Sequence, residues 1–400
     1  MLDLSQDPTI YITRDIERAM GLNFNTRGYY IISNYSDFAK SIIKNKNSIL
    51  LLKEKEQLDT WQLLKNRKVV KFINKIDSPN ILVFKNTTQI EQICKENNWN
   101  LLNPSAKLAN KIEEKISQVE WLGELKKYLP PTKVKICKDV RYKDESFILQ
   151  FNRSHTGSGT ILIESKKQLG EIQKKFPQRN VRITKYIEGP VFTSNNIVAK
   201  NKILIGNINY QITGLRPFTN QKFATIGNDW GVVKKMLDGK QIKQFKKIVN
   251  EAGEKMQQDG WKGLFGIDIV VEKSTGKLYL IEINARQPAS ATFESQLQLD
   301  NWTIGQYTTF QAHLMALLDL PVEKLIKIED GTQIILRNQY QLPIINCQLL
   351  EMLQKENFKV IQYNNTKPGS DLLRIQGKTS IIKSHNKFNE TGKKILSLMS

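Results

Sequence analysis

Asp268, Glu282, Asn284 and Arg286 lie within one stretch, residues 264–287, LFGIDIVVEKSTGKLYLIEINARQ. Two apolar runs, 265–271 and 278–283, flank a polar segment containing Gly276. That pattern predicts a β-hairpin with a loop of about five residues. Strand side chains alternate, so Leu278, Leu280, Glu282 and Asn284 are expected on one face. With Glu272 opposite Leu278, Asp268 falls opposite Glu282. Directly opposed like charges destabilise a strand pair. Two carboxylates and an amide, followed by Arg286, therefore call for a cation or a shared proton. Mg²⁺ is the simplest such cation, because it takes carboxylate oxygens and keeps phosphate as a further ligand. An acid pair neutralised by Arg286 and nearby lysines remains open beside it.

Those residues need a scaffold, and the rest of the chain indicates its class. Four hundred residues suggest two to four compact units. An apolar content of 40% with 25% charged residues fits a globular protein. No apolar run approaches twenty residues, so no membrane span is expected. The early residues are acidic and lack an apolar core, unlike a secretory signal. Cys94, Cys137 and Cys347 are scattered, which suggests neither a disulfide framework nor a zinc site and points to a reducing cytoplasm. The net charge of +21 is spread as lysine along the chain without a recognition motif, so a nucleic-acid partner is not expected.

Along residues 1–104, segments 28–33, 48–52, 68–73 and 80–84 read as strands, and 36–43 and 88–97 as helices. Such alternation predicts a parallel sheet with crossover helices, an α/β Rossmann-like unit. Ser105 to Tyr128 reads as one long helix, N-capped by Ser105 and ended by Pro130 and Pro131. Segments 146–151, 160–163 and 181–187 read as strands. The loop NRSHTGSG joins the first two, with glycines at 157 and 159 that permit close backbone approach to phosphate. Segment 213–230 is loop-like, with Arg216, Asn228 and Asp229, and with Gln211 just before it, as groups that reach an acceptor if the loop is functional. Residues 241–259 form an amphipathic helix, and 288–292 with Ser295 a small-residue loop. His313 sits in an apolar helix over 303–318 and reads as a packed core residue.

The hairpin resembles the metal-binding hairpin of the ATP-grasp superfamily, whose members often read G-x-D…E-x-N-x-R. Biotin carboxylase and D-alanine–D-alanine ligase are familiar members. The resemblance implies that Asp268, Glu282 and Asn284 hold Mg²⁺ on ATP phosphates and that Arg286 faces the reacting group. It further implies a phosphate-binding lysine in the 105–128 segment, Lys115 by spacing, with Lys111 second. The NRSHTGSG loop is similar to the phosphate-covering loop, giving His155, Gly157, Ser158 and Gly159 as nucleotide contacts, with Arg153 adding charge. Gln150 stands where the preceding strand usually carries a lysine. The stretch TKYIEGPVFT resembles the inter-subdomain hinge, implying that Lys185, Tyr186 and Ile187 touch adenine. Thr184 and Val191 stand where acids are usual, and Glu188 is the substitute for ribose.

The implied domains are a Rossmann-like domain at 1–104, ATP-grasp subdomains at 105–190 and 191–325, and a small α+β domain at 326–400. The implied activity is an ADP-forming ligase that joins a small-molecule carboxylate to an amine or thiol using ATP and Mg²⁺. The alternatives are a biotin-carboxylase-like or formate-using enzyme and a catalytically degenerate nucleotide-binding protein. A homodimer is one arrangement left open.

Overall fold

The alternation of short apolar runs and amphipathic segments at the N-terminus builds the expected parallel sheet. The computed structural model describes residues 2–43, 47–152, 159–338, 347–363, 365 and 368–399. Strands β1 (Thr9–Ile12), β2 (Tyr29–Asn34), β3 (Ile49–Leu52), β4 (Asn80–Val83) and β5 (Asn100–Leu101) pair in parallel in the order β3-β2-β1-β4-β5. The central strand, β1, is absent from the sequence reading. Its four residues are all buried, Ile10 and Ile12 toward one core and Tyr11 toward another, so it shows no polar alternation. Segment 68–73, read as a strand, is instead the helix Arg67–Ile73. Asn66 caps it by accepting from the Lys68 N–H, and Val69 and Ile73 bury one face at helical spacing. A run this short satisfies either period, and the cap decides.

The expected long helix over 105–128 is broken. Helix Ala106–Glu113 ends at Glu114, which is extended (φ −68°, ψ 135°), and a second helix, Lys115–Trp121, follows. Asn152 forces the break from the end of the neighbouring strand. Its Oδ1 accepts from Ile116 N at 3.0 Å, its carbonyl accepts from Lys115 N at 3.2 Å, and its Nδ2 donates to Glu114 Oε2 at 2.7 Å. These bonds satisfy donors that a helix start leaves free.

Strands β6 (Thr132–Ile136), β7 (Phe147–Phe151), β8 (Thr160–Ile163) and β9 (Asn180–Lys185) form a four-stranded antiparallel sheet in the order β6-β9-β7-β8. A nine-stranded antiparallel sheet faces it across the helix Lys115–Trp121. Its strands are β10 (Val191–Val198), β11 (Ile203–Leu204), β12 (Asn209–Thr213), β13 (Thr225–Asp229), β14 (Gly263–Val271) and β15 (Leu278–Asn284), joined later by three C-terminal strands. The segment read as a loop over 213–230 thus contributes β13. A small parallel pair, β16 (Gln306–Tyr307) and β17 (Lys324–Leu325), lies apart. The C-terminal strands β18 (Thr332–Arg337), β19 (Lys359–Gln362) and β20 (Asp371–Gly377) hydrogen-bond into the large sheet, whose order is β15-β14-β10-β12-β13-β18-β20-β19 with β11 on β10.

The hairpin holds the main surprise. Asp268 does oppose Glu282, but by a different register from the one expected. Val271, not Glu272, opposes Leu278, and a bulge at Ile281 then shifts the pairing by one before Asp268 meets Glu282. The extra residue reverses the faces beyond it. Leu278, Leu280 and Ile283 therefore join Ile267 and Ile269 in the main core, under the helix Gly239–Gln258. Glu282 and Asn284 leave Leu278 and Leu280 and turn to the opposite face with Asp268, so the single-face expectation is corrected.

The hinge between β9 and β10 runs against the end of β14. A Cβ on Gly189 would lie 1.8 Å from the Val271 carbonyl oxygen, a backbone atom that cannot swing aside. Gly189→Ala should lower stability by about 1–3 kcal/mol. Thermal denaturation beside the wild type checks this, and an unchanged midpoint would show that the hinge can move away.

Candidate active site

On the cleft face of β14, Asp268 is flanked by Val270, and on the facing strand by Asn284 and Glu282. Asp268 is buried, lies beside Thr193 of β10 in register, and accepts a hydrogen bond from Thr193 and one from Asn284 Nδ2 at 3.3 Å. Burial and then the Glu282 charge push its carboxyl up to about 6, against the smaller opposing pull of Thr193, Lys115 and Asn284. Lys115, turned inward by the break at Glu114, brings its Nζ to 2.6 Å from Glu282 Oε1. The contact is a close ion pair rather than an aligned hydrogen bond, since Nζ has no hydrogen-bond partner. Lys111, by contrast, is half exposed and lies 3.9 Å from Asp259. Of the two lysines, the structure thus brings Lys115 to the carboxylates.

Beyond Asn284 the chain enters a second region. Arg286 Nη2 donates to Asn284 Oδ1 at 2.8 Å, and its Nε donates to Glu113 Oε1 at 3.0 Å. Burial would raise Glu113, but Arg286 and Lys85 outweigh it and hold the carboxyl low. The next residues dock on the N-terminal sheet: Gln287 accepts from Tyr11 Oη at 2.7 Å and donates to the Arg18 carbonyl at 3.1 Å. The guanidinium groups of Arg18 and Arg286 lie 4.7 and 5.7 Å from the Phe84 ring centroid. Arg18 follows β1 and Phe84 follows β4, the two strands at which the order of the parallel sheet reverses. Open α/β sheets bind ligands in the crevice at that point. The carboxylates and the crevice are therefore joined through Asn284 and Arg286.

The nucleotide-side expectations divide. Gln150 lies in β7, donates to Thr160 Oγ1 at 3.1 Å, and pairs in register with Arg182 of β9. Gly159 accepts at its carbonyl from Phe151 N at 3.3 Å. His155, Gly157 and Ser158, with Arg153, lie outside the described residues. At the hinge, Lys185 Nζ sits 3.6 Å from Glu272, and Lys273 Nζ sits 3.7 Å from Glu188, so both hinge charges are tied to the hairpin turn. Tyr186 meets Phe223 edge-on, with the Lys222 ammonium over its ring. Ile187 is buried with Val270 and Tyr279, beside Val191 and Ile281, an apolar patch on the same face as Asp268. A cavity of about 250 Å³ opens next to it, lined by Pro130, Pro131, Thr132 and Tyr279 among others.

Two buried residues escaped the sequence reading. Gln118, fully buried, donates to the carbonyls of Ile112 (2.8 Å) and Ile283 (3.3 Å), and so ties the helix to the hairpin. Arg182 donates to Gln118 Oε1 at 3.4 Å. Its signal was present in VRITK, where Arg182 and Thr184 alternate with core residues. Of the acceptor candidates, Asn228 joins a buried polar ladder, donating to Asn209 Oδ1 at 2.8 Å and accepting from Gln333 at 2.9 Å. Asp229 is structural, because it accepts from Ser380 and from the Ile381 and Ile382 N–H groups. His313 accepts from Leu264 N at 3.0 Å, and burial drives its pKa down to about 3, as befits a core residue.

Among the described residues no group of three or more His, Cys, Asp or Glu gathers. Two carboxylates and an amide are instead a partial oxygen set, which suits a hard cation whose other ligands are phosphate and water. The raised Asp268 carboxyl fits a site built for a positive ion.

The raised carboxyl has a thermodynamic signature. Because Asp268 titrates higher folded than unfolded, its stabilising contribution is present at low pH and is lost as pH rises through about 6. Metal-free Asp268→Asn should accordingly gain stability relative to wild type at pH 7 and little at pH 4. Denaturation midpoints at the two pH values measure it. A difference independent of pH would mean that Asp268 does not carry this penalty.

Residues 112–290 match the family model described as ATP-grasp domain. No curated protein is significantly similar in sequence. Among solved structures, carboxyaminoimidazole ribonucleotide synthase from Aspergillus clavatus, complexed with ATP, is 15% identical, with a TM-score of 0.68 over 98% of this chain and 97% of that one. N5-carboxyaminoimidazole synthetase from Staphylococcus aureus, complexed with ADP, is 16% identical, with a TM-score of 0.67 over 98% and 96%. L-amino acid ligase from Bacillus licheniformis is 13% identical, with a TM-score of 0.64 over 98% and 96%. The match covers the hairpin, the hinge and the four-stranded sheet described above, so residues 112–290 of this chain form an ATP-grasp domain.

Proposed function

We propose that this protein is an ADP-forming ATP-grasp ligase that activates a small-molecule carboxylate and joins it to an amine. The observation that carries this reading is the Asp268–Glu282 pair with Asn284 on the cleft face, within reach of Lys115 on one side and Arg286 on the other. Adenine packs against the Ile187, Val270 and Ile281 patch, which sits one strand step from the carboxylates. Asp268, Glu282 and Asn284 hold Mg²⁺, which when bound neutralises phosphate charge there. Lys115 adds a buried positive charge, and Arg286, braced by Glu113 and Asn284, presents a fixed guanidinium toward the crevice.

The reaction needs two displacements. A substrate carboxylate oxygen attacks the γ-phosphorus and ADP leaves. The amine nitrogen then attacks the acyl carbon, inorganic phosphate leaves, and the nitrogen loses a proton. Neither step requires a protein nucleophile. Both require fixed positive charge in a site shielded from water, since charge spreads over the transferring oxygens. The four-stranded sheet with its neighbouring helix takes the nucleotide, and the crevice at β1 and β4 takes the acceptor. The proposed domains keep the divisions at 104, 190 and 325. The retention of Asp268, Glu282, Asn284 and Arg286 together argues against a degenerate site. Among the described residues no helix is long and apolar enough to cross a membrane, and the scattered cysteines support a cytoplasmic setting.

A panel of carboxylic acids and amines, scored by phosphate release, should yield ADP in step with product. The activity should vanish with EDTA. Glu282→Gln and Asn284→Ala should each lower turnover by at least about a hundredfold, the scale expected when fixed charge stabilisation is removed from a dry site. Substrate-dependent AMP and pyrophosphate would instead establish adenylation and reject the acyl phosphate.

A further inference from the structure

One charge in the cleft has no counter-charge of its own. Strand β9 turns Val181 and Ile183 toward the core of the small sheet, and Arg182 toward the helix Lys115–Trp121. Arg182 is 1% exposed. Among the described residues its single hydrogen bond, from Nη1 to Gln118, is long, and its Nε has no partner. Among the described residues no carboxylate lies within ion-pair distance of it. The one acid whose field reaches it, Glu282, is already engaged by Lys115. Two buried cations thus share one carboxylate. Burial pushes Arg182 down to about 10, against the weaker support of Glu282. Arg374 makes the contrast: equally buried, it has Tyr363, Gln333, Asp371 and Glu17 around it, and these hold it firmly charged. A lone buried guanidinium is costly unless something anionic completes it.

Its position says what completes it. Gln118 links Arg182 to the carbonyl of Ile283, the residue between Glu282 and Asn284. On the other side, the register partner of Arg182 in β7 is Gln150, and cross-strand partners share a face. Arg182 therefore stands between the strand that leads to the glycine loop and the hairpin that carries the carboxylates. The position bearing a neutral amide in β7 has a guanidinium directly beside it in β9.

We propose that Arg182 binds phosphate oxygens of the adenine nucleotide, supplying from β9 the positive charge that Gln150 does not supply from β7. The inference rests on the nucleotide reading above. A guanidinium offers several coplanar donors to phosphate, and the Nε of Arg182 is left without a partner among the described residues.

Calorimetry with Mg·ADP and with adenosine tests this on wild type, Arg182→Met and the double variant Gln150→Lys/Arg182→Met. Arg182→Met should weaken Mg·ADP about tenfold to a hundredfold, the range of one or two charge-assisted hydrogen bonds, and leave adenosine affinity nearly unchanged. The double variant should recover most of the loss. Wild-type Mg·ADP affinity in folded Arg182→Met would overturn the proposal. So would equal losses for Mg·ADP and adenosine, or a double variant no tighter than the single one. If Arg182→Met does not fold, Arg182→Lys carries the test: selective weakening toward Mg·ADP supports the assignment, and unchanged affinity rejects it. A wild type that binds no Mg·ADP would instead overturn the nucleotide reading itself.

Discussion

Two carboxylates opposed across one strand pair are the constraint around which the site is built. Asp268 and Glu282 face each other where backbone geometry leaves them little room to part. Burial removes the water that would otherwise screen Asp268, while Glu282 stays partly exposed. The surroundings respond in three ways: Asp268 keeps its proton to a higher pH, Thr193 and Asn284 donate to it, and Lys115 closes on Glu282. Each response needs its own piece of scaffold. Thr193 comes from the adjacent β10, Asn284 requires the bulge at Ile281, and Lys115 requires a helix that stops and restarts.

The restart at Lys115 links the two halves of the cleft. Asn152 stands at the end of β7, where the glycine-bearing loop begins, and it caps the helix that delivers Lys115 to Glu282. Gln118, one turn further on, bonds to the hairpin backbone and accepts from Arg182. The small sheet and the large sheet are thus not merely apposed. Both are hydrogen-bonded to one short helix, and Asn152 ties the end of β7 to the turn that delivers Lys115 to Glu282.

Much of this was legible in the residues, and what was not has identifiable causes. The opposition of Asp268 and Glu282 follows from the hairpin pattern, yet the face on which Glu282 and Asn284 lie does not. The bulge is a packing outcome: Leu280 and Ile283 both enter the core with two residues between them, where alternation allows only one, so one is extra. The parallel sheet was legible from alternation, but its central strand was not, because full burial erases the polar alternation that marks a strand. The helix break at Glu114 was invisible locally, since its cause, Asn152, is distant in sequence. Arg182 could have been found from alternation alone, but a lysine-rich chain hides one important cation among many exposed ones.

Lys115 and Arg182 differ in what holds them. Among the described residues Lys115 is the only cation within ion-pair distance of Glu282, whereas Arg182 has no carboxylate at that distance and rests on one long hydrogen bond to Gln118. The acid pair is therefore partly balanced by Lys115 as the protein stands, and a cation held by Asp268, Glu282 and Asn284 would compete with that ammonium for Glu282. Arg182 would meet no such competition, because its charge is placed by strand β9 and Gln118 rather than by an acid.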